Sequence, residues 1–121
     1  MTKRILVVED QEDNRRILRD LLTSADYEVI EAENGEEALA AVAKERPDLI
    51  LMDIQLPILD GYEATRRIKA DPTFKNVPII AVTSYALSGD EDKARAAGCD
   101  DFVPKPYSPR QLLAKIRGFM R

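Results

Sequence analysis

Three short apolar runs each end on a side chain that carries chemistry, and this pattern constrains the fold of the 121-residue chain most strongly. The runs, with the residues that follow them, are Ile5–Val8 with Glu9 and Asp10, Leu49–Met52 with Asp53, and Ile79–Val82 with Thr83. A fourth, shorter stretch, Phe102–Val103, leads into Lys105–Pro106. Apolar runs of this length are typical of strands in a parallel sheet. Because the carboxyl ends of parallel strands share one edge, we expect three carboxylates, a hydroxyl and an ammonium group in one pocket.

Strand and helix signals alternate regularly along the rest of the chain. The predicted strands are Arg4–Glu9, Glu28–Ala32, Asp48–Asp53, Val77–Thr83 and Asp101–Val103. The third is almost wholly apolar, which favours a central position in the sheet. The pattern predicts an α/β fold with the order (βα)₅, a doubly wound five-stranded parallel sheet flanked by helices.

Five helices are predicted from capping residues and apolar spacing. Asp13 and Asn14 are expected to cap the first, which runs to about Ser24 with Ile17, Leu18, Leu21 and Leu22 on its inner face. The second is predicted over Glu36–Glu45, and the third follows Asp60–Gly61 and runs to about Ala70. The fourth is expected from Ser88–Gly89–Asp90 to Gly98, a left-handed cap, and the last from Ser108–Pro109 to Arg121.

Composition narrows the class of protein. The net charge is −4 without a long basic run, which argues against a direct nucleic-acid partner. The chain has no histidine, which excludes Ser-His-Asp catalysis and histidine metal sites, and its one cysteine, Cys99, has no internal disulfide partner. No apolar run approaches the ~20 residues that span a bilayer, so we expect no membrane insertion and a cytoplasmic location. We expect one domain over residues 1–121, with no output domain.

The predicted pocket has the components of a phosphoryl-transfer site. Glu9, Asp10 and Asp53 would repel one another strongly unless a cation lay among them. Carboxylate oxygens without sulfur or imidazole favour Mg²⁺. A carboxylate can itself be the nucleophile and form an aspartyl-phosphate, with Lys105 and Thr83 pairing to other phosphoryl oxygens. There is no glycine-rich phosphate loop after the first strand, which argues against a nucleotide site.

Four sequence blocks, ILVVEDQEDN, DLILMDIQLPILDGYE, PIIAVTSYA and GCDDFVPKPY, resemble the signatures of response regulator receiver domains of the CheY-like superfamily, with a flavodoxin-like fold. The ILMDIQLP stretch also resembles the stand-alone, DivK-like group of receivers. The resemblance implies a two-component phosphorelay protein in which Asp53 accepts a phosphoryl group from a sensor histidine kinase or a histidine phosphotransfer protein. It also implies Mg²⁺, for which Mn²⁺ can substitute, held by Asp10, Asp53, the backbone carbonyl of Gln55 and, through water, Glu9.

The same resemblance implies roles for further residues. Thr83 is the switch hydroxyl, Lys105 the phosphate-pairing lysine, Phe102 the switch aromatic, and the Lys105–Pro106 peptide is cis. Gln55 and Tyr85 tune the lifetime of the phosphorylated state. A kinase-docking face is implied at Gln11, Asn14, Arg15 and Leu18. A downstream protein target is expected on the face made by the fourth helix, the fifth strand and the last helix.

Several alternatives remain open from the sequence. The chain is expected to catalyse only its own phosphoryl transfer and autodephosphorylation. An aspartate-nucleophile phosphohydrolase usually carries a second Asp two residues after the nucleophile, where this chain has Gln55. An unphosphorylated pseudo-receiver scaffold is another alternative, and Mg²⁺ binding would separate it from a phosphorylated switch. Phe102 can instead be a core aromatic of a central strand, and the docking face an ordinary polar helix surface.

Overall fold

The computed structural model describes residues 2–83, 90–105 and 107–120, in which five strands alternate with five helices. The strands are β1 (Arg4–Val8), β2 (Glu28–Ala32), β3 (Leu49–Asp53), β4 (Ile79–Thr83) and β5 (Asp101–Pro104). The helices are α1 (Glu12–Ser24), α2 (Gly35–Glu45), α3 (Gly61–Ala70), α4 (Asp90–Ala97) and α5 (Pro109–Phe119). The predicted order is confirmed, and most boundaries move by only one or two residues.

All neighbouring strands are parallel, in the order β2-β1-β3-β4-β5. The predicted central position of β3 is confirmed, and all five of its residues are buried. The description of Phe102 as part of a central strand is wrong, because β5 lies at the edge of the sheet. This order makes the chain reverse direction across the sheet between β1 and β3, where the ligand crevice of a doubly wound fold is expected.

The core has two layers because successive side chains of a strand point to opposite faces. On one face, Leu6, Val8 and Met52 belong to the cluster that includes buried residues of α2, α3 and α4. On the other face, Ile5, Val7 and Leu51 pack in a cluster with residues of α1 and α5. Both faces of the sheet are therefore covered by helices, which explains the continuous apolar runs of the strands.

Three of the described helices begin with a side-chain cap. The side chains of Asn34, Asp60 and Ser108 accept hydrogen bonds from backbone N–H groups in the first turns of α2, α3 and α5. Gly98 has a φ of 107°, in the left-handed region predicted for it.

Two predictions for α1 were wrong. Its N-cap is Gln11, which makes no side-chain cap bond, because the helix begins at Glu12 and already contains Asp13 and Asn14. Ile17 was placed on the inner face of the helix, but it is 57% exposed. The buried stripe of α1 is instead Arg15, Leu18 and Leu22, whose spacing puts them on one helical face.

Across the described ranges, no helix combines the length and apolar character needed to cross a bilayer.

Candidate functional site

The strand register brings the predicted site residues to one edge of the sheet. Val8 of β1 pairs with Met52 of β3, so Glu9, which follows Val8, and Asp53, the last residue of β3, lie side by side at this edge. On the other side, Thr83 pairs with Pro104, and its carbonyl accepts a hydrogen bond from the Lys105 N–H at 2.6 Å. Backbone pairing alone thus places the chemical groups of four strands at a shared edge.

Glu9, Asp10 and Asp53 form a compact carboxylate cluster. Each offers one oxygen, and these three oxygens lie within 4.8 Å of one another. The cluster opens into a cavity of about 420 Å³ lined by Glu9, Asp10, Gln11, Asn14, Asp53, Gln55 and Lys105. A set of hard oxygen donors with a partly open cavity fits Mg²⁺, which is held by few carboxylates and keeps several waters.

Glu9 is a buried carboxylate, 2% exposed, with firm partners. Its Oε2 accepts a hydrogen bond from the Gln11 N–H at 3.0 Å, and its Oε1 accepts one from Lys105 Nζ at 2.8 Å. Burial alone would raise the pKa of Glu9, but the hydrogen bonds from Lys105 and Gln11 outweigh it and hold the pKa below its ordinary value. Glu9 is therefore a permanently ionised member of the cluster at neutral pH.

Asp53 has the most perturbed carboxyl group in the cluster. Its side chain is almost fully buried, its Oδ1 accepts the Gln55 N–H at 3.0 Å, and its Oδ2 lies 3.9 Å from Lys105 Nζ. Burial and then the charge of Glu9 raise the pKa of Asp53 to about 7, against the opposing effect of Lys105. A cation among the three carboxylates would lower the pKa of Asp53. Binding of the cation and ionisation of Asp53 therefore favour each other.

Asp10 differs from its two neighbours because it is exposed. Partial desolvation, followed by the hydrogen bond and charge of Glu9, raises the pKa of Asp10 above its ordinary value. Because Asp10 is open to solvent, an incoming hydrated cation can contact this carboxylate first.

Thr83 and Gln55 line a second cavity, of about 280 Å³, together with Ile54, Leu56, Asp60 and Tyr62. Gln55 belongs to both cavities, so the two meet at the loop after β3. Thr83 is buried at the carboxyl end of β4, next in the chain to Val82, which pairs with Asp53. The predicted hydroxyl thus lies beside the carboxylate cluster but outside the cavity that the cluster lines.

Gly61 is a site-shaping residue that the sequence reasoning treated only as a turn signal. A Cβ at this position would lie 2.3 Å from the backbone oxygen of Asp53, and the Gly61 N–H donates to the Ile54 carbonyl at 3.0 Å. The start of α3 therefore packs directly onto the backbone of the central carboxylate. Only glycine permits this approach without moving Asp53.

Of the remaining predicted site residues, the structure describes Phe102 but not Tyr85 or Pro106. Phe102 is half-buried on edge strand β5 and packs against the cluster on the α2–α4 side of the sheet. Tyr85 and Pro106, and with Pro106 the isomer of the Lys105–Pro106 peptide, lie outside the described residues.

The predicted docking face is only partly at the surface. Gln11 is exposed, Asn14 is half-buried, and Arg15 and Leu18 are buried, although Asn14 and Leu18 both line a cavity beside the helix. The burial of Arg15 and Leu18 follows from their position on the inner stripe of α1. The exposed apolar residue of this helix is Ile17, which borders a cavity of about 500 Å³ lined by Glu9, Asn14, Ile17, Leu18, Lys105, Tyr107 and Pro109.

Sequence reasoning also missed two partners of Glu9. The Asn14 side chain donates to Glu9 Oε1 at 3.4 Å, and the Arg15 guanidinium donates to the Glu9 backbone carbonyl at 2.8 Å. The available signal was the spacing of Arg15, Leu18 and Leu22, which puts an arginine on the apolar stripe of α1.

Comparisons with known proteins identify the family of this chain. A family model described as response regulator receiver domain matches residues 5–117. The chain is 42% identical over 120 residues to the polar-differentiation response regulator DivK of Brucella anthropi, covering 99% of this chain and 98% of that one.

Two solved structures are similar over nearly the whole chain. The receiver domain of a sensor histidine kinase from Pseudomonas aeruginosa PAO1, with magnesium coordinated in its active-site cleft, has a TM-score of 0.92 and 38% identity, covering 99% of this chain and 98% of that one. The chemotaxis response regulator CheY4 of Vibrio cholerae has a TM-score of 0.91 and 28% identity, covering 98% and 99%. With its parallel five-stranded sheet and its acidic edge cluster, this chain belongs to the response regulator receiver domain family.

Proposed function

We propose that this protein is a phosphorelay switch in which Asp53 accepts a phosphoryl group with the help of Mg²⁺. The observation that carries the proposal is the arrangement around Asp53: a buried carboxylate with two further carboxylate oxygens within 4.8 Å and the Lys105 ammonium 3.9 Å away. With a cation held by the carboxylates on one side and Lys105 on the other, such a set can neutralise a phosphoryl group while presenting one nucleophile.

In the proposed reaction, a carboxylate oxygen of Asp53 forms a bond to phosphorus while the bond from phosphorus to the donor breaks. The donor is a phosphohistidine nitrogen on a partner kinase or phosphotransfer protein, and the histidine leaves with the bonding electron pair. Lys105, which pairs with Glu9 at 2.8 Å, would turn to pair with a phosphoryl oxygen. Electrostatic stabilisation and positioning provide most of the catalysis in reactions of this kind.

Asp10, Asp53 and the carbonyl of Gln55 would bind Mg²⁺ directly. Glu9 would bind the ion through a water molecule. When bound, the ion supplies positive charge for the phosphoryl oxygens and lowers the pKa of Asp53. The magnesium in the cleft of the similar Pseudomonas receiver domain supports this assignment.

The alternatives account for the site less well. Gln55 has no acid or base function, so the position two residues after Asp53 lacks the group that a phosphohydrolase uses on outside substrates. A scaffold that is never phosphorylated has no need for a buried carboxylate whose pKa is raised to about 7 beside two other acids. Both observations favour a phosphorylated switch.

The signal would leave the site through Thr83 and Phe102. Thr83 would move toward the phosphoryl group, and Phe102, now half-buried on β5, would turn inward. The face of α4, β5 and α5 would then change shape for a downstream protein. Phenylalanine has no hydroxyl to satisfy, so apolar burial alone would favour the inward state.

The deciding experiment is incubation with acetyl phosphate and Mg²⁺, followed by borohydride reduction and peptide mapping. We expect one phosphoryl group per chain, with the reduced residue at position 53. Omission of metal is the control and is expected to lower labelling at least tenfold. Labelling elsewhere would reject Asp53 as the acceptor, and no binding of beryllofluoride in the presence of Mg²⁺ would favour the scaffold.

We place the contact with the phosphodonor protein at the apolar cavity beside Ile17, since Lys105 and Glu9 also line it. Ile17→Asp, which adds a charge to an exposed apolar site, is expected to slow transfer from a cognate kinase about tenfold. Labelling by acetyl phosphate, which needs no docking, should stay within twofold. Arg16→Asp, at an exposed neighbour that does not line the cavity, is the matched control. Equal kinase rates for wild type and Ile17→Asp would rule out this surface.

A further inference from the structure

Arg15 is a buried arginine that phosphoryl transfer does not use directly. Its side chain is 7% exposed, and its guanidinium lies between the ends of β1 and β2. One nitrogen donates to the Glu9 carbonyl at 2.8 Å, and the others face the carboxylates of Glu12, Glu31 and Glu33. A buried guanidinium is costly unless its donors are satisfied, so these contacts fix its place.

The contact with the Glu9 carbonyl is the one most shielded from water. Glu12 and Glu33 are mostly exposed and Glu31 is partly exposed, so solvent screens their attraction to Arg15. The hydrogen bond to the Glu9 carbonyl is buried and charge-assisted. Arg15 therefore acts on the structure mainly at Glu9.

Glu9 is held at each of its polar groups. Its N–H donates to the Ala32 carbonyl at 3.0 Å, its carboxylate is bound by Gln11 and Lys105, and its carbonyl accepts from Arg15. Because a peptide unit is planar, fixing the Glu9 carbonyl also fixes the nitrogen and Cα of Asp10. Arg15 thereby sets the direction in which the exposed Asp10 carboxylate leaves the backbone.

We propose that Arg15 is a positioning residue for the metal site, holding the Glu9–Asp10 peptide so that both carboxylates face Asp53. This inference rests on the proposed function, because it concerns the Mg²⁺ site of that reaction. Residues that orient metal ligands without touching the ion commonly contribute strongly to affinity.

Positioning and electrostatics make opposite predictions for Arg15. If the arginine acted only through its charge, removing it would make the pocket more negative and tighten cation binding. If it positions Asp10, removing it loosens the ligands and weakens binding. The sign of the change in metal affinity therefore separates the two roles.

The test is a titration with Mn²⁺ alone, with free Mn²⁺ measured by electron paramagnetic resonance, for wild type and Arg15→Met. We expect Arg15→Met to bind about tenfold more weakly. The Mg²⁺ concentration for half-maximal phosphorylation should rise by a similar factor, with no change in the acetyl phosphate dependence. Arg19→Met is the matched control, because Arg19 is on the same helix and pairs with Glu31 but not with Glu9, and its affinity should be that of wild type.

Equal or tighter Mn²⁺ binding by folded Arg15→Met would overturn the inference while leaving the proposed function intact. Failure of the wild type to bind Mn²⁺ would overturn both. If urea denaturation shows that Arg15→Met does not fold, Arg15→Lys decides instead, because it keeps the charge but loses the planar fork of donors. Weaker binding by Arg15→Lys would then support positioning, and wild-type affinity would contradict it.

Discussion

Asp53→Asn is expected to lower acyl-phosphate formation at least a thousandfold, because an amide cannot act as the nucleophile. The same substitution should raise the free energy of unfolding of the metal-free protein at pH 8 by about 4 kcal/mol. Burial and the charge of Glu9 raise the pKa of Asp53 to about 7, so its ionised form is costly in the folded state at pH 8. Phosphate-affinity gels measure the first effect and urea denaturation the second.

The pH dependence gives the sign of this stability effect. Between the unfolded pKa of about 4 and the folded value, the folded chain binds more protons than the unfolded chain, so stability falls as pH rises. The advantage of Asp53→Asn should therefore shrink as pH is lowered from 8 toward 4. Mg²⁺ should stabilise the wild type more than the variant, since a ligand that binds the folded state stabilises it.

Asp20→Asn is a suitable control because this carboxylate is exposed on α1, away from the acidic cavity. Its stability should change by less than about 0.5 kcal/mol at either pH. An Asp53→Asn protein no more stable than wild type at pH 8 without metal would contradict the description of Asp53 as a strained buried acid.

Lys105→Met is expected to slow phosphorylation by acetyl phosphate about a hundredfold, since removing one fixed donor to a transferring group typically has this effect. Metal affinity should not fall. Lys105 Nζ lies 2.8 Å from Glu9 Oε1 and 3.9 Å from Asp53 Oδ2, so its removal makes the cavity more negative and should tighten Mn²⁺ binding. Initial rates and Mn²⁺ titration measure the two effects.

Lys115→Met controls for the loss of a lysine in the same part of the chain. Lys115 pairs with Asp101 at 3.1 Å and does not line the acidic cavity. Its phosphorylation rate should stay within twofold of wild type. A Lys105→Met protein that is phosphorylated within threefold of the wild-type rate would show that the lysine is only a counter-ion of Glu9.

Local patterns in the sequence predicted the fold and the carboxylate cluster. The (βα)₅ order, the central position of β3 and the meeting of Glu9, Asp10 and Asp53 follow from rules that act over a few residues: continuous apolar runs form buried strands, and the carboxyl ends of parallel strands share an edge. The starts of α3 after Asp60 and of α5 after Ser108 follow in the same way, because capping depends on neighbours in the chain.

The errors arose where burial depends on contacts between distant segments. Ile17 was expected on the inner face of α1 but is exposed, whereas Arg15 joins the predicted Leu18 and Leu22 in the buried stripe. Ile17 and Arg15 are two positions apart, about 200° around the helix, so the local apolar spacing placed Ile17 on the wrong side. The edge position of Phe102 likewise depends on the order of strands, which no single strand encodes.

The sequence by itself determined which chemical groups reach the carboxyl edge of the sheet, because strand periodicity and chain order are local properties. Only the tertiary structure decided how those groups interact: the raised pKa of Asp53, the Lys105–Glu9 pair and the hold of Arg15 on the Glu9 carbonyl. These features depend on burial and on distances between segments far apart in the chain. Both are set by how the strands and helices pack together.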